Sequence, residues 1–371
     1  MEFHCARAVG HAHSNSIHSP VGACEMKDEE LAPRDVVKLA FQYQETKHVP
    51  YCFAVSQEQA NALTQYYGDA SWQDGVVAYI GNLAGVDNFL SKAGLVEQPD
   101  GSQQDCLGCV WEMGSTHHLV GWPLHEPVLG NYRLPDLEPY FEQHLFPQWP
   151  RDIAATGTQF RVIDHSFGLF ERAWSLRGFE NFLVDLVEND AFAGELLDHV
   201  TEWFLQSVDL MATAPVDAIF LTDDHAAQRG LLMGSDRWRR FFKPRWKRIF
   251  DRIHHYGLYT IMHMCGDTSE VVPDLIEVGL DCMESCQPEC MDIYRLKRLY
   301  GRDIRFWGGL GAQNILPFGA PGEVRKETAR LKQEMGRGGG YILAGAKGLG
   351  AEVPVENIAA YLEECRSPRL S

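Results

Sequence analysis

The sequence predicts an α/β fold built on a (β/α)8 barrel, the TIM-barrel architecture. With 371 residues the chain is long enough for one such domain, and short apolar strands alternate with amphipathic helices along its second half. Continuous apolar strands of this kind pair in parallel and are covered on both faces. A doubly wound sheet also fits this alternation. Polar residues follow nearly every predicted strand, however, and this favours the barrel, whose active sites lie at those strand ends.

The first predicted elements come after residue 30. A helix is predicted from about 33 to 43, a short buried strand at 49–55, and a helix that Ser56 caps and Gly68 ends. Residues 69–135 are rich in Gly and Trp, and they predict a strand-rich insertion near the N-terminal half.

The second half of the chain is more periodic. A strand is predicted at 159–164, and two helices follow near 178–189 and 191–213. Five further strands begin near 217, 258, 280, 304 and 341, and each is followed by a helix. Pro244 must kink or divide the helix predicted at 235–256. We therefore predict a single barrel domain over residues 31–366.

The first 30 residues predict a flexible extension, because they lack an apolar period. Metal binding by their histidines is the less favoured alternative. These histidines are His4, His11, His13 and His18.

The charge balance excludes several classes of function. The chain has 33 Lys and Arg against 51 Asp and Glu, which gives a net charge of −18. An acidic chain is a poor partner for nucleic acid or for an anionic membrane, and no apolar run is long enough to span a bilayer. The start of the sequence lacks the apolar stretch of a secretory signal. We therefore expect a cytoplasmic protein.

The cysteines predict reduced thiols, since the ten of them are irregularly spaced in a long chain. Cys106 and Cys109 form a lone CxxC, for which two packed thiols are favoured over a metal or redox site. The eight basic residues between 237 and 252 predict a solvated helix face.

Residues with functional chemistry follow the predicted strands. In a barrel they converge on one mouth although they lie far apart in sequence. They are Asp223, Asp224, His263, Cys265, Glu284, Gln287, Gln313 and Lys347. We take Asp223, Asp224, His263, Glu284 and Lys347 as candidate catalytic residues. Gln287, Trp307 and Gln313 are candidate substrate contacts.

Two adjacent carboxylates follow the strand that begins near 217. If Asp223 and Asp224 both enter a cleft, their repulsion makes one of them hold a proton, which gives a general acid beside a base. Capping of the segment that follows them is an equally good interpretation.

His263 and Cys265 provide an imidazole and a thiolate within reach of one metal ion. Zinc accepts both ligand types, but a third ligand must come from another strand. Glu284, Cys286 and Asp223 are the candidates. Core packing is the favoured interpretation of Cys286.

Several segments carry a family resemblance. They are ERAWSLRGFENFLVDLVEND (171–190), FLTDDHAAQRGLLM (220–233), HMCGD (263–267), GLDCMESCQPECMDIYRLKRLYGRDIRFWGGLGAQNILPFG (279–319) and GGGYILAGAKGLGAEVPVENIAAY (338–361). With PRDVVKLAF near the start, the chain resembles the uroporphyrinogen decarboxylase (URO-D) superfamily over about residues 31–366. It resembles in particular the methyltransferase-like branch, which is related to the corrinoid-dependent methyltransferases.

The resemblance implies one barrel with its cleft at the carboxyl ends of the strands, and two known chemistries. The cofactor-free decarboxylases use N-terminal arginines, but the corresponding stretch here, VPYCFAVSQEQANAL, has none. The methyltransferases use zinc and a corrinoid protein as partner, and their His-x-Cys motif matches His263 and Cys265. The decarboxylase histidine and the distal cysteine of the methyltransferases both fall at Lys347, so the third thiolate is absent.

Three functions remain open at this point. The favoured one is transfer of a methyl group between a small methylated substrate and a corrinoid protein or thiol, assisted by zinc. The alternative is a metal-free decarboxylase or lyase acting on a small carboxylate that Lys347, Arg161 or Arg229 would hold. A binding protein without catalysis ranks third.

The predicted insertion at 69–135 offers further substrate contacts if it roofs the cleft. The candidates are Trp111, Glu112, His117 and His118, for which ordinary packing in a lid is the alternative. The oligomeric state stays open, with a homodimer as one alternative.

Overall fold

A seven-stranded parallel sheet forms the centre of the fold. The computed structural model describes residues 31–86, 95–114 and 117–369, and the predicted extension at 1–30 lies outside the described residues. The strands of the described residues are β1 (Ile80–Val86), β2 (Val96–Glu97), β3 (Gln103–Gln104), β4 (Val110–Glu112), β5 (His118–Gly121), β6 (Phe160–His165), β7 (Ala218–Thr222), β8 (Ala226–Ala227), β9 (Gly230–Leu231), β10 (Tyr259–His263), β11 (Cys282–Ser285), β12 (Arg305–Leu310) and β13 (Tyr341–Gly345).

The helices pack around this sheet and agree closely with the predicted periodic segments. They are α1 (Pro33–Phe41), α2 (Gln57–Tyr67), α3 (Glu138–Tyr140), α4 (Trp149–Thr156), α5 (Leu169–Arg177), α6 (Phe179–Glu188), α7 (Asp190–Met211), α8 (Ser235–Phe241), α9 (Lys243–His255), α10 (Val272–Glu277), α11 (Ile293–Tyr300), α12 (Ile315–Phe318), α13 (Pro321–Glu334) and α14 (Val355–Arg366). Single turns of 3-10 helix cover Ala70–Gln73 and Ser269–Val271, and Phe141–Leu145 forms a π-helix.

The sheet order is β1-β6-β7-β10-β11-β12-β13, and every neighbouring pair is parallel. The register fixes which side chains meet at the carboxyl ends of the strands. Thr222, His263, Glu284 and Trp307 lie side by side on four adjacent strands. Their positions form one row around the inside of the curled sheet.

The strand predicted at 49–55 occupies the eighth position only in part. It is joined to the sheet by two isolated bridges, Tyr51 to Leu343 and Val55 to Leu349, rather than by a continuous ladder. On its other side the ring of Tyr51 lies 5.3 Å from that of Tyr79, which directly precedes β1. The segment therefore lies between the two edges of the sheet. The fold is TIM-like, with seven regular strands where the sequence predicted eight.

The insertion predicted at 69–135 needs a correction, because β1 of the main sheet lies inside that range. Four short antiparallel strands, β2 to β5, follow it at Val96–Glu97 through His118–Gly121. The sequence missed β1 because Gly81 and Gly85 interrupt its apolar pattern. These glycines are needed, since a Cβ on Gly85 would lie 1.9 Å from the backbone oxygen of Asp164 on β6.

Local signals set several helix ends. The Ser56 hydroxyl accepts a hydrogen bond from the Gln59 backbone N–H at 3.2 Å, and Gly68 ends α2 with a φ of 86°. Pro244 lies in the first turn of α9 and divides the predicted helix at 235–256 into α8 and α9. Proline is tolerated there because the first N–H groups of a helix have no intrahelical acceptor.

Four of the basic residues of α8 and α9 pair with acidic residues of α7, against which α9 packs. This pairing agrees with a solvated helix face and leaves little free positive charge for nucleic acid. The pairs are Arg240–Asp190, Arg245–Asp198, Arg248–Glu202 and Arg252–Asp209. Among the described residues, no helix is both long enough and apolar enough to cross a bilayer.

Candidate functional site

A cavity of about 1460 Å³ opens at the carboxyl ends of the parallel strands. It brings together seven of the residues that the sequence singled out. They are His263, Cys265, Glu284, Gln287, Trp307, Gln313 and Lys347. Convergence at this end is expected for a barrel, because each strand delivers the residue that follows it to the same mouth.

Three potential metal ligands meet at the edge of this cavity. Ligand atoms of Asp224, His263 and Cys265 all lie within 4.8 Å of one another. The Cys265 Sγ is 3.3 Å from the His263 Nε2, and that nitrogen is 3.7 Å from the Asp224 Oδ1. A tetrahedral zinc ion holds its nitrogen and sulfur ligands about 3.5 Å apart, so the spacing of the His263 Nε2 and the Cys265 Sγ suits zinc.

Glu284 orients the imidazole of His263. Its carboxylate accepts a hydrogen bond from the Nδ1 of His263, and this leaves Nε2 directed toward Cys265 and Asp224. A carboxylate behind a ligating histidine is the usual arrangement in zinc proteins. Burial alone would lower the pKa of His263, but its bonds to Cys265 and Glu284 outweigh burial and raise that pKa to about 11. Without metal the site thus holds a proton where it would otherwise hold a metal cation.

The third potential metal ligand is none of the three residues that the sequence suggested for this position. Glu284 is bound to the far side of the imidazole, and Asp224 stands in the ligand position instead. Cys286 does not line the cavity: its thiol is 1% exposed and donates to the Met283 carbonyl at 3.4 Å. Burial raises the pKa of Cys286, which disfavours the thiolate that a metal requires.

Asp223 points away from its neighbour Asp224 and into the protein. It is fully buried, and its carboxylate accepts the backbone N–H groups of Phe170 and Glu171 at 3.0–3.2 Å. These are the first N–H groups of α5, so Asp223 caps that helix from a distant part of the chain. Asp223 is thus a cap, but of α5 rather than of the segment that follows it, whereas Asp224 lies beside His263 and Cys265 at the edge of the cavity.

Glu171 was not predicted as a site residue. Burial raises its pKa to about 8, and repulsion from Asp223 and Asp224 acts in the same direction. Only the three-dimensional approach of α5 to the end of β7 produces this effect. The sequence carries no signal for it.

Lys347 lines the cavity but stays near solvent. Its side chain is 75% exposed, and its Nζ lies 3.5 Å from the Glu352 Oε1. It is the only lysine or arginine among the described residues that line the cavity. At the position where the resemblance led us to expect a distal cysteine, the chain therefore has an exposed cation.

The other proposed contacts lie away from the cavity. Trp111 is buried, and its indole N–H donates to the Asp105 Oδ2 at 2.9 Å, while Glu112, His117 and His118 are exposed. None of these four lines the cavity, so packing is the better interpretation of Trp111, and the insertion does not form a roof through them.

The arginines proposed as carboxylate anchors are also absent from the cavity lining. Arg161 begins β6 at the opposite end of the sheet, where its guanidinium bonds the Thr156 hydroxyl and the Gly157 carbonyl. Arg229 lies exposed in the turn between β8 and β9. Both cysteines of the CxxC are free thiols, and Cys109 is buried.

Comparison with known proteins identifies the family. Residues 155–368, more than half of the chain, match the family model of uroporphyrinogen decarboxylase (URO-D). The chain belongs to the URO-D family. All three candidate metal ligands of this URO-D protein lie within the matched residues.

Two proteins from Methanosarcina mazei are similar to this URO-D chain. The methylated-thiol–coenzyme M methyltransferase is 25% identical over 197 residues, which are 53% of this chain and 50% of that protein. The match thus spans half the length of that relative. A solved structure described as a methyltransferase has a TM-score of 0.67, with 19% identity, and the match covers 91% of this chain and 98% of that one. The latter likeness concerns the fold.

Proposed function

We propose that the protein is a methyltransferase that moves a methyl group between a small methylated substrate and a thiol or a corrinoid protein. The observation that carries this proposal is the cluster of Asp224, His263 and Cys265 at the carboxyl ends of the strands. The matched relative, which acts on methylated thiols according to its name, supports the same direction. The decarboxylase alternative is not favoured, because of its three proposed anchors only Lys347 lines the cavity, where its side chain is largely exposed and close to Glu352.

Zinc is the metal that best fits the three ligands, with one imidazole nitrogen, one sulfur and one carboxylate oxygen. When bound, it would supply Lewis acidity that lowers the pKa of a thiol in the cavity. The chain's own residues prepare the site. Glu284 fixes the ring of His263, and the Asp224 Oδ1 accepts the backbone N–H of Cys265 at 2.8 Å, which holds the two ligand loops together.

Asp224 takes the place of the missing third thiolate in this proposal. Lys347, at the position where a cysteine was expected, is too exposed and too close to Glu352 to face a metal cation directly. A carboxylate from the end of β7 keeps the number of protein ligands at three and leaves a fourth position for substrate. A corrinoid protein as partner would have to present its cofactor at the mouth of the cavity.

Metal content and activity of matched variants test the proposal. We expect about one zinc ion per chain in the purified full-length protein, and loss of that zinc in His263→Ala, Cys265→Ser and Asp224→Ala. Methylation of a thiol such as coenzyme M by a methylated corrinoid should fall at least about 100-fold in the same variants. Glu112→Gln, outside the cavity, is the control. Full activity in the absence of bound metal would refute the zinc site, and zinc binding without any methyl transfer would refute the activity.

A further inference from the structure

The floor of the cavity is aromatic. Phe220 on β7 and Trp307 on β12 meet edge to face, with ring centroids 5.7 Å apart, and both side chains line the cavity. Trp307 is 6% exposed, so its ring is held rigidly by the surrounding core. Aromatic faces of this kind attract a cation through the ring quadrupole.

Carboxylates flank these two rings. Asp164 lies beside Phe220 in the register of β6 and β7, and Glu284 lies beside Trp307 in the register of β11 and β12. Both carboxylates line the cavity. The two rings therefore give the pocket a polarisable floor. The acidic residue next to each ring gives it negative charge at its edges.

The charge balance of the lining points the same way. Asp164, Glu284 and Glu352 are its acidic residues. Among the described residues Lys347 is its single lysine or arginine, and His263, its single histidine, donates to Glu284. Lys347 lies close to Glu352 and is largely solvated, so that it offsets the carboxylate at the mouth rather than those at the floor.

We propose that the methylated substrate is a cation, a quaternary ammonium compound whose onium group sits against Phe220 and Trp307 between Asp164 and Glu284. This inference rests on the proposed function and names its substrate class. A quaternary ammonium group has no N–H to donate. Aromatic faces and nearby carboxylates are therefore the groups that recognise it, whereas a neutral methyl ether gains nothing from the carboxylates.

The transfer from such a substrate balances without a further reactant. A thiolate of the acceptor, whose proton has gone to solvent, attacks a methyl carbon and forms the S–C bond. The C–N bond breaks with its electron pair staying on nitrogen, which gives a neutral tertiary amine and a thioether. Nothing is oxidised or reduced, and the amine leaves without needing a proton from the protein.

A pair of isosteric ligands tests the inference on the full-length protein. Choline carries a quaternary nitrogen, and 3,3-dimethylbutan-1-ol has a neutral carbon in its place. We expect calorimetric titration to show at least about 10-fold tighter binding of choline. Equal affinity for the two ligands, or no binding of either, overturns the inference.

Variants locate the binding. Asp164→Asn and Phe220→Leu should each weaken choline binding about 10-fold and change binding of the neutral alcohol less than about twofold. Asp236→Asn, a fully exposed carboxylate on α8, is the matched control and should leave both affinities unchanged. Two different variants keep the test valid if one of them fails to fold. Unchanged choline affinity in both variants overturns the inference.

The result separates this inference from the proposed function. A protein that binds zinc and methylates a thiol but does not distinguish choline from the alcohol retains the function and loses the onium substrate. A protein that binds choline selectively but holds no zinc and transfers no methyl group retains the onium pocket and loses the methyltransferase proposal.

Discussion

The two ends of the same strands use carboxylates differently. Asp217 directly precedes β7 and Asp224 follows it. In the same way Asp281 directly precedes β11, and Glu284 lies near its carboxyl end. At the amino end the two carboxylates are bound to cations of the protein. At the carboxyl end they surround an imidazole and a thiol beside a cavity.

The carboxylates at the amino ends of the strands form ion pairs with basic side chains. Asp217 lies 2.8 Å from Arg34 and 3.1 Å from Lys38, and Asp281 lies 3.1 Å from Arg305 and 2.8 Å from His254. Burial would raise the pKa of both carboxyls, but these hydrogen bonds and charges outweigh burial and lower it.

Within the described residues, neither carboxylate of the carboxyl-terminal pair forms an ion pair with lysine or arginine. Asp224 and Glu284 both pair with His263. The imidazole of His263 can give up its proton and bind a metal ion, whereas the guanidinium of Arg34 or Arg305 at the amino end cannot be deprotonated. The comparison teaches that this barrel uses one end for stability and keeps exchangeable charge at the other.

The largest expected effect is the loss of stability caused by Asp281→Ala at the amino ends of the strands. The substitution removes a side-chain acceptor of the Arg305 guanidinium, which keeps its bond to the Phe41 carbonyl, and leaves the backbone N–H of Thr260 without its carboxylate acceptor. We expect the free energy of unfolding to fall by about 2–3 kcal/mol, measured by urea denaturation, with zinc affinity unchanged. Asp236→Ala on the surface is the control. A loss below about 0.5 kcal/mol would contradict the assigned role.

Glu284→Gln on the same strand should show the opposite pattern. The amide preserves the size of the side chain but no longer supports the basicity of His263, so that zinc affinity should fall about 10–100-fold. Competition with a chelator measures the affinity. We expect the urea midpoint to change little, and a variant that lost stability while retaining zinc would show that the two ends do not differ as described.

The adjacent residues Asp223 and Asp224 are predicted to have different roles, in capping a helix and in binding a metal. Asp223→Ala and Asp224→Ala test this difference. Asp223→Ala removes the cap of α5 and should cost about 1–2 kcal/mol of unfolding free energy while zinc is retained. Asp224→Ala should lose zinc at a smaller cost in stability. Metal analysis and urea denaturation of the two variants side by side provide the measurement, and loss of zinc in Asp223→Ala alone would reverse the assignment.

The smallest effect is a pH dependence at the amino end. The hydrogen bond to Asp281 raises the pKa of His254, so this pair stabilises the fold fully below about pH 6.5 and less as the pH rises through the folded-state pKa of His254. His254 is 38% exposed, and solvent screening limits the expected effect to about 0.5 kcal/mol. His254→Gln should therefore cost more stability at pH 5.5 than at pH 9. An equal cost at both pH values would show that the imidazolium contributes nothing.

The sequence predicted the regular part of the fold well, because each apolar run from β7 onward is a complete strand followed by a helix. It missed α5 for a physical reason. The cap of that helix is Asp223, which lies 53 residues after Phe170 in the chain, so no local pattern marks the helix start. The sequence also missed β1, because its glycines interrupt the apolar pattern. These glycines are required by the close approach of β6, which no local pattern shows.

The candidate site was predicted as a set of residues but not as an arrangement. His263 and Cys265 follow one strand, and their spacing alone indicated a shared ligand. The choice of Asp224 over Asp223, Glu284 and Cys286 depends on which way the chain turns after β7, and on the bond between Glu284 and the far nitrogen of the imidazole. Spacing along the sequence does not contain that information.

The segment from Pro50 to Val55 has a consequence for how the barrel moves. Two isolated bridges join it to Leu343 in β13 and to Leu349, which follows that strand. The other strands of the sheet share ladders of three or more residues. Tyr51, Cys52 and Phe53 also form part of the cavity wall. Amide hydrogens here should exchange through small local openings long before those of β10 or β12. We therefore expect the barrel to open most easily at this segment. It lies beside the cavity, where a bulky ligand would require the wall to move.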